Sequence, residues 1–374
     1  MKKKNIIRML RIVFIIASIS SLAFVLWLLF FGFCSLAFVP WVLVNAWILP
    51  LPNTVQEQVN QTIGHGFDGM IVYVDEAGKS PSFYSAGLKS RTNKVPADAQ
   101  SLFKIASISK LYVAVAVAKL ANDQRLSLDK TLADYIPALM GRIEHADKIT
   151  LKLMVQHRSG IPNFTDTPGY WEKPPESSKQ RLNLVLDKPA NFEPDEEYSY
   201  SNTNYLLIGE IIDKTLGYSH REYIKKEILT PLELNNTYSL ISEVDIEEVA
   251  SGYYVGYEDD MKFSFNSVGV NGSMVATAQD VGIFLRALND GSLLNENEQA
   301  IYSSIYVYKH GGLLPGYQSL AEYHKDIDTV VIQFLNTTDF DGYQWNLSQI
   351  SYSRLVQIIR KVKAQHRISP EEGL

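Results

Sequence analysis

The sequence contains one cysteine, Cys34, among 374 residues. Cys34 lies within an apolar N-terminal run, so the rest of the chain can form no internal disulfide and has no cysteine pair for a metal or redox site. The seven histidines are scattered, without a His-x-x-x-His pair, and glycine-rich nucleotide-binding patterns are also missing. We therefore expect neither a metal ion nor an organic cofactor.

Positive charge is scarce beyond the N-terminus. The first eleven residues contain five of the 35 basic side chains and no acidic one. The remainder has 30 basic against 41 acidic side chains, a net charge of −11. Since no basic stripe is present to neutralise phosphates, we exclude nucleic acid as a partner. Repeats and low-complexity tracts are lacking too, which favours one compact domain over residues 53–363 and a flexible tail over residues 364–374.

The stretch from Ile12 to Leu51 has no charged side chain. A membrane-spanning helix needs roughly 20 apolar residues, and prolines in or just after the second half would interrupt a longer one. Within the apolar region 12–52 we predict a span from Ile12 to about Phe33 and an interfacial segment from Trp41 to Leu51. The basic residues 1–11 precede this region, so the positive-inside rule leaves the N-terminus in the cytoplasm and the domain on the outer side of the membrane.

Two other interpretations of the apolar run stay open. A hairpin of two short helices would return the domain to the cytoplasm. A cleaved signal peptide would release the domain, although the apolar core of such peptides is usually only about 7–15 residues long.

Hydrophobic periodicity predicts the main elements of the soluble part. They are a hairpin over residues 70–74 and 82–86, helices over 111–120, 205–215 and 349–362, and strands over 305–308 and 329–335. Strands near both ends with helices between them favour a sheet that is built from both ends of the chain and interrupted by a helical insertion.

A serine three residues before a lysine on a helix places a hydroxyl and an amine on the same face, where an unprotonated lysine could accept the serine proton. The pattern occurs at Ser101/Lys104, Ser107/Lys110 and Ser127/Lys130. Ser107 opens the helical run directly, so backbone N–H groups and the helix dipole would favour an oxyanion beside it. Ser107 is therefore the better nucleophile. The alternative is that Ser107 or Ser109 merely caps the helix.

Two further motifs follow downstream. Tyr200-Ser201-Asn202 precedes a predicted helix, and a phenol near a lysine ammonium would have its phenolate favoured, which suits a general base. His310-Gly311-Gly312 follows a predicted strand, where two glycines let a ligand approach closely. Alternatively, the first is an exposed turn and the second holds an ordinary polar histidine.

Together these motifs resemble those of the penicillin-recognising serine hydrolases, in the branch of class C β-lactamases, D-alanyl-D-alanine carboxypeptidases, D-aminopeptidases and esterases. Residues 103–110 (FKIASISK), 200–202 (YSN) and 310–312 (HGG) match in order and spacing. Residues 153–162 (LMVQHRSGIP) and 272–280 (GSMVATAQD) are similar to two other family segments. The likeness extends from about Phe67 to Ile359.

The resemblance implies an α/β (α+β) fold of β-lactamase/transpeptidase type: an antiparallel sheet flanked by helices, with a helical subdomain inserted roughly between Leu120 and Tyr257. It implies acyl transfer to Ser107, with Lys110 and Tyr200 managing the proton. The resemblance also implies substrate-binding roles for Asn202, His310, Gly312 and Leu313. The N–H groups of Ser107 and Leu313 would form the oxyanion hole.

The sequence departs from the family pattern at two places, of which the first bears on the substrate and the second affects only a turn. His310 stands where true β-lactamases usually have lysine, so a substrate carboxylate would meet a weaker, titratable cation. Pro194-Asp195 replaces a frequent Pro-Gly in a turn. We expect a small-molecule or peptide substrate, namely a peptide that contains D-amino acids or a cell-wall-related ester. β-Lactamase or carboxylesterase activity remains an alternative, and so does an inactive sensor or scaffold. His157, outside the three motifs, is expected to be structural, and the oligomeric state is left open.

Overall fold

The computed structural model describes residues 40–258, 260–264 and 274–368, and the chain divides into two compact units after Pro50. The described part of the first unit contains helix α1 (Trp41–Ile48), which begins after Pro40. The predicted span, Ile12–Phe33, lies outside the described residues. Within the part of the chain that the structure covers, no helix has both the length and the apolar character needed to cross a bilayer.

The second unit is organised around a six-stranded sheet in the order β3-β2-β1-β10-β9-β8, antiparallel throughout. A small sheet in the order β4-β7-β5 and a parallel pair of β6 with β11 lie beside it. The strands are β1 (Gly69–Glu76), β2 (Ser82–Ser90), β3 (Val95–Pro96), β4 (Phe103–Lys104), β5 (Thr237–Tyr238), β6 (Tyr253–Tyr254), β7 (Val275–Ala276), β8 (His310–Leu314), β9 (Tyr317–His324), β10 (Thr329–Leu335) and β11 (Thr337–Thr338).

One helix of the second unit precedes the first hairpin, others separate the two halves of the sheet, and the last described helix follows the sheet. They are α2 (Val55–Ile63), α3 (Ser109–Asn122), α4 (Leu132–Tyr135), α5 (Leu151–Val155), α6 (Ser178–Asn183), α7 (Asn202–Leu216), α8 (His220–Ile224), α9 (Ala278–Asp290), α10 (Glu296–Ile305) and α11 (Gln344–Ile368). Local sequence explains their ends: α7 stops at Gly217, whose φ of 75° is left-handed, and α10 begins with a capping box between Asn295 and Glu298.

The central strands bury side chains on both faces, which is why they read as continuous apolar runs. On one face, Ile71 and Tyr73 of β1 lie opposite Phe334 and Ile332 of β10 and belong to the main core. Tyr73 packs against α9 at Gly282, where a Cβ would lie 2.2 Å from the tyrosine ring. A glycine is therefore required for this close approach of helix to sheet.

The two terminal helices of the second unit contact each other. The hydroxyl groups of Thr62 in α2 and Ser351 in α11 lie 2.6 Å apart, and Arg354 donates to Gln58 at 2.8 Å. Gln333 of β10 donates to the backbone oxygen of Ser348 in α11 at 3.1 Å. These contacts join the beginning and the end of the unit over one face of the sheet.

The predicted hairpin, the three predicted helices and the strand 329–335 are all present, most with wider bounds. The predicted strand over 305–308 is wrong. Helix α10 continues to Ile305, and β8 begins only at His310. The reason is local: the capping box starts a helix, and the Tyr302 hydroxyl donates to the Val307 oxygen at 2.6 Å, which turns the chain before the strand.

Candidate active site

Ser107 lies in a single 3₁₀ turn, Ala106–Ile108, that leads into α3. Neither nearby serine is the N-cap of α3, since that position is Ile108 and Ser109 donates its hydroxyl to the Ala106 oxygen at 2.7 Å. Ala106 has a φ of 50°, a left-handed conformation that costs an alanine roughly 1–2 kcal/mol. Strain of this kind is concentrated at functional sites because the surrounding structure must enforce it.

Lys110 follows Ser107 by one turn, and its amine faces back to the serine. Its Nζ lies 3.0 Å from Ser107 Oγ and donates to Asn202 Oδ1 at 3.0 Å. The side chain is fully buried, and the rings of Tyr200 and Tyr205 lie 5.0 and 5.5 Å from Nζ. Burial lowers the pKa of Lys110 well below its ordinary value, which favours the neutral amine that can accept a proton.

Tyr200 reaches the same serine from the loop before α7. Its hydroxyl donates to Ser107 Oγ at 2.8 Å. Burial raises the pKa of Tyr200, which is opposite to the phenolate expected from the sequence. The expectation counted the attraction of a lysine ammonium but not the loss of water around both groups. Desolvation penalises each charged form, so an amine and a phenol are the favoured pair.

Asn202, the first residue of α7, is held by two residues that the sequence motifs did not indicate. Its backbone N–H donates to Asn163 Oδ1 at 3.0 Å, and its Nδ2 donates to Thr165 Oγ1 at 3.2 Å. These contacts leave Asn202 Oδ1 directed to Lys110. Asn163 and Thr165 follow the segment 153–162. In the sequence, only this position indicates that they could belong to the site.

Strand β8, at the edge of the main sheet, lies against the nucleophile turn. A Cβ on Gly312 would lie 2.4 Å from the Ile105 oxygen and 3.0 Å from Ala106 Cβ, so only glycine fits there. On the opposite face, a Cβ on Gly311 would lie 2.9 Å from the Trp345 ring of α11. Leu313 is placed beside Ser107 in the wall of one cavity.

His310 begins β8, and both of its ring nitrogens are engaged within the protein. Nδ1 donates to the Gly311 oxygen at 2.5 Å, and Nε2 accepts from the Tyr306 hydroxyl at 2.9 Å. Burial, with the Lys110 charge second, lowers the pKa of His310 to about 4, so the imidazole is neutral at pH 7. The neighbouring Lys309 pairs with Glu322 of β9 at 2.8 Å.

These side chains open into a cavity of about 360 Å³. Its walls combine the predicted residues with aromatic side chains from two separate parts of the chain, Tyr170 with Trp171 and Trp345. The cavity is lined by Ala106, Ser107, Asn163, Thr165, Tyr170, Trp171, Tyr200, Asn202, His310, Gly311, Gly312, Leu313, Leu314 and Trp345. All seven predicted site residues except Lys110 line it, and Lys110 lies directly beneath Ser107 and Asn202.

The other two serine–lysine pairs have different surroundings. Ser101 Oγ is buried and has no hydrogen-bond partner among the described residues. Lys104 instead donates to the backbone oxygens of Lys262 and Ser264 at 2.9 and 2.6 Å. The backbone of Ser127 bonds with the Tyr135 hydroxyl. Only the Ser107 pair, within the part of the chain that is described, joins a second motif.

Several known proteins have sequences similar to this chain. The family profile described as Beta-lactamase matches residues 52–304. A penicillin-binding protein of Bacillus subtilis (strain 168) is 30% identical over 205 residues, which cover 52% of this chain and 44% of that protein. Protein flp of Staphylococcus aureus (strain COL) is 29% identical over 197 residues, or 50% of this chain and 39% of that protein. The chain thus matches less than half the length of these relatives.

Solved structures show the same fold at lower identity. The D-amino acid amidase from Ochrobactrum anthropi SV3, complexed with L-phenylalanine amide, superposes with a TM-score of 0.75 at 22% identity, over 86% of this chain and 99% of that one. A penicillin-binding protein from Bacillus halodurans gives 0.69 at 19% identity, over 83% and 100%. The fold is therefore the β-lactamase/transpeptidase-like α/β fold, and this chain is a member of the β-lactamase family of penicillin-recognising serine hydrolases.

Proposed function

We propose that the protein hydrolyses amide or ester bonds through an acyl-enzyme formed on Ser107. One observation carries the proposal: Ser107 Oγ lies within hydrogen-bond distance of both Lys110 Nζ and Tyr200 OH, at 3.0 and 2.8 Å, on the wall of an accessible cavity. A hydroxyl is a weak nucleophile until an adjacent base takes its proton. Lys110, whose burial favours the neutral amine, is the base suited to this step.

In acylation, Ser107 Oγ attacks the substrate carbonyl and its proton passes to Lys110. As the bond to the leaving group breaks, the Tyr200 hydroxyl gives its proton to the departing nitrogen or oxygen, and Lys110 returns a proton to Tyr200. The serine ester and the protonated leaving group are then formed with no net change in the enzyme's protons. Water attacks the ester in the reverse sequence and releases the acid.

Charge develops on the carbonyl oxygen during both steps. The N–H groups of Ser107 and Leu313 are the proposed donors to it, because the strained turn at Ala106 and the close packing of Gly312 hold these two backbones together. Asn202 would orient Lys110 and contact the substrate. His310 would shape the wall rather than supply a charge, since both ring nitrogens are engaged.

For the substrate, we propose D-amino-acid amides and peptides or cell-wall-related esters, as in a D-aminopeptidase or D-alanyl-D-alanine carboxypeptidase. The similarity to the D-amino acid amidase of Ochrobactrum anthropi and to a D-stereospecific amidohydrolase of a Streptomyces species supports this choice. The aromatic wall of Tyr170, Trp171 and Trp345 suits an apolar side chain. Penicillin hydrolysis is a less favoured alternative because His310 is neutral at pH 7.

We also propose that an N-terminal span anchors the domain outside the cytoplasmic membrane. The apolar run supports it, as do Trp41 and Trp47 of α1, whose exposed fractions are 69% and 74%, since tryptophans concentrate at membrane interfaces. A reporter active only outside the cytoplasm, fused after Leu374, should be active. A stable but inactive fusion would support the two-helix hairpin instead.

The nucleophile is tested by three matched serine variants and a p-nitrophenyl ester. Ser107→Ala should abolish turnover and also labelling by a fluorescent penicillin or a fluorophosphonate, while far-ultraviolet circular dichroism stays unchanged. Ser101→Ala and Ser127→Ala, which alter serines with the same spacing to a lysine, should keep most of the activity. A wild-type protein that neither turns over the ester nor reacts with either probe would favour the inactive scaffold.

A further inference from the structure

His157 contacts the catalytic tyrosine and both residues beside it. Its ring is stacked on Tyr200, with centroids 4.4 Å apart and planes inclined by 29°. Its backbone oxygen accepts from the Ser199 N–H at 3.0 Å, and its Nδ1 accepts from the Ser201 N–H at 3.1 Å. One residue thus restrains three consecutive positions centred on Tyr200.

The same residue has features that oppose a purely structural role. His157 is 2% exposed, and among the described residues its Nε2 has no hydrogen-bond partner. Because Nδ1 accepts a hydrogen bond, the proton of the neutral ring is on Nε2, where a buried unsatisfied donor costs about 1–3 kcal/mol. The backbone φ of 57° adds left-handed strain. An apolar side chain would fill this space without the unsatisfied donor.

The ring also has to stay neutral for this arrangement to persist. Burial, followed by the charges of Lys110 and His310, lowers the pKa of His157 to about 3. The imidazole therefore keeps Nδ1 free to accept from Ser201, and it adds no positive charge beside Lys110.

We infer that His157 is a positioning residue of the hydrolytic reaction, which fixes the backbone and ring of Tyr200 so that its hydroxyl meets Ser107 Oγ. The inference rests on the proposed function, in which Tyr200 transfers a proton. Reaction rates are sensitive to such placement, because a shift of about 1 Å in a reacting group can cost about 100-fold. His157 touches no substrate in this scheme and acts only through the tyrosine.

Three substitutions in the full-length protein separate the contacts. His157→Phe keeps a ring that can stack but loses the acceptor, and His157→Asn keeps an acceptor near Nδ1, loses the ring and tolerates a left-handed φ. His157→Leu lacks both. With p-nitrophenyl ester as substrate and active sites titrated, kcat should fall about 10- to 100-fold in the Leu and Phe variants while KM stays within about threefold. His157→Asn should keep much of the kcat that the Leu and Phe variants lose.

Another buried histidine provides the matched control. His324, at the end of β9, is 9% exposed, and its Nε2 pairs with the Tyr352 hydroxyl at 3.0 Å. His324→Leu should lower the melting temperature without changing kcat per active site. In a Tyr200→Phe background, His157→Leu should cause little further loss of the residual rate, because its effect passes through the missing hydroxyl.

Several outcomes overturn the inference. The first is an unchanged kcat in folded His157→Leu or His157→Phe, and the second is a change in KM without a change in kcat. The third is a His157→Leu substitution that lowers the rate of Tyr200→Phe as much as it lowers the wild-type rate. If Tyr200→Phe itself kept full activity, the proposed function would fail and this inference with it. An inactive Tyr200→Phe protein beside a fully active His157→Leu protein overturns the positioning role alone.

Discussion

Replacing Gly312 by alanine should displace the edge strand from the nucleophile. The new Cβ would lie 2.3 Å from Ser319 Oγ and 2.4 Å from the Ile105 carbonyl oxygen. The serine hydroxyl can rotate away, but the carbonyl belongs to the backbone that leads into Ser107. Restoring an ordinary contact of 3.4 Å requires β8 and the turn to separate by about 1 Å, a displacement that can reduce a rate about 100-fold.

Overpacking of this kind also destabilises a fold by about 1–3 kcal/mol. We therefore expect Gly312→Ala to lower kcat on p-nitrophenyl ester about 100-fold and to lower the melting temperature measurably. Gly311→Ala is the matched control, because its Cβ meets the movable Trp345 ring on the other face of the same strand. That variant should lose much less activity. Wild-type kinetics in Gly312→Ala would refute the argument that close packing of β8 positions Ser107.

Two further predictions concern charge in the site. In His310→Lys, a fixed cation replaces an imidazole whose pKa is about 4. The KM for carboxylate-bearing substrates should therefore fall with little change in kcat, whereas the KM for neutral esters should not improve. Efficient cephalosporin hydrolysis by the unmodified protein at pH 7 would contradict this. The lowered pKa of Lys110 means that the base loses its proton well below the ordinary lysine range, so kcat/KM for a non-ionising ester should reach its plateau well below pH 10.5. A pH profile checks this, and a rise that began only near pH 10.5 would contradict it, since activity grows with pH as Lys110 is deprotonated.

Spacing in the sequence predicted that Ser107 and Lys110 face each other, because they are one helical turn apart. The same spacing occurs at Ser101 and Ser127, so the choice among the three pairs depended on the start of the helical run and on the family resemblance. The strand of residues 329–335 and the first hairpin were equally predictable, since β10 and β1 bury side chains on both faces of the sheet. Contacts between distant segments were harder to foresee. Nothing near Trp345 in the sequence indicates that its ring covers Gly311 and lines the cavity.

Ionisation was the other property that local reasoning missed. The predicted phenolate at Tyr200 follows from one neighbour, Lys110, whereas the pKa depends on how much water the folded protein removes. The stacking of His157 on Tyr200 and its bond to Ser201 could not be predicted either, because they form only when the segment after α5 and the loop before α7 are packed together. The strand predicted over 305–308 failed because a capping box ten residues earlier decided the local structure.

The pairing of β1 with β10 has a consequence for how the protein is made. Met70 lies opposite Leu335, so the first long strand gains its second neighbour only after the residues up to Leu335 have been synthesised. Contacts this distant in sequence slow folding, and a nascent chain that ends before Thr329 exposes one edge of β1 to aggregation. Until β10 is available to pair with β1, the nascent chain therefore needs protection from other chains at this strand edge.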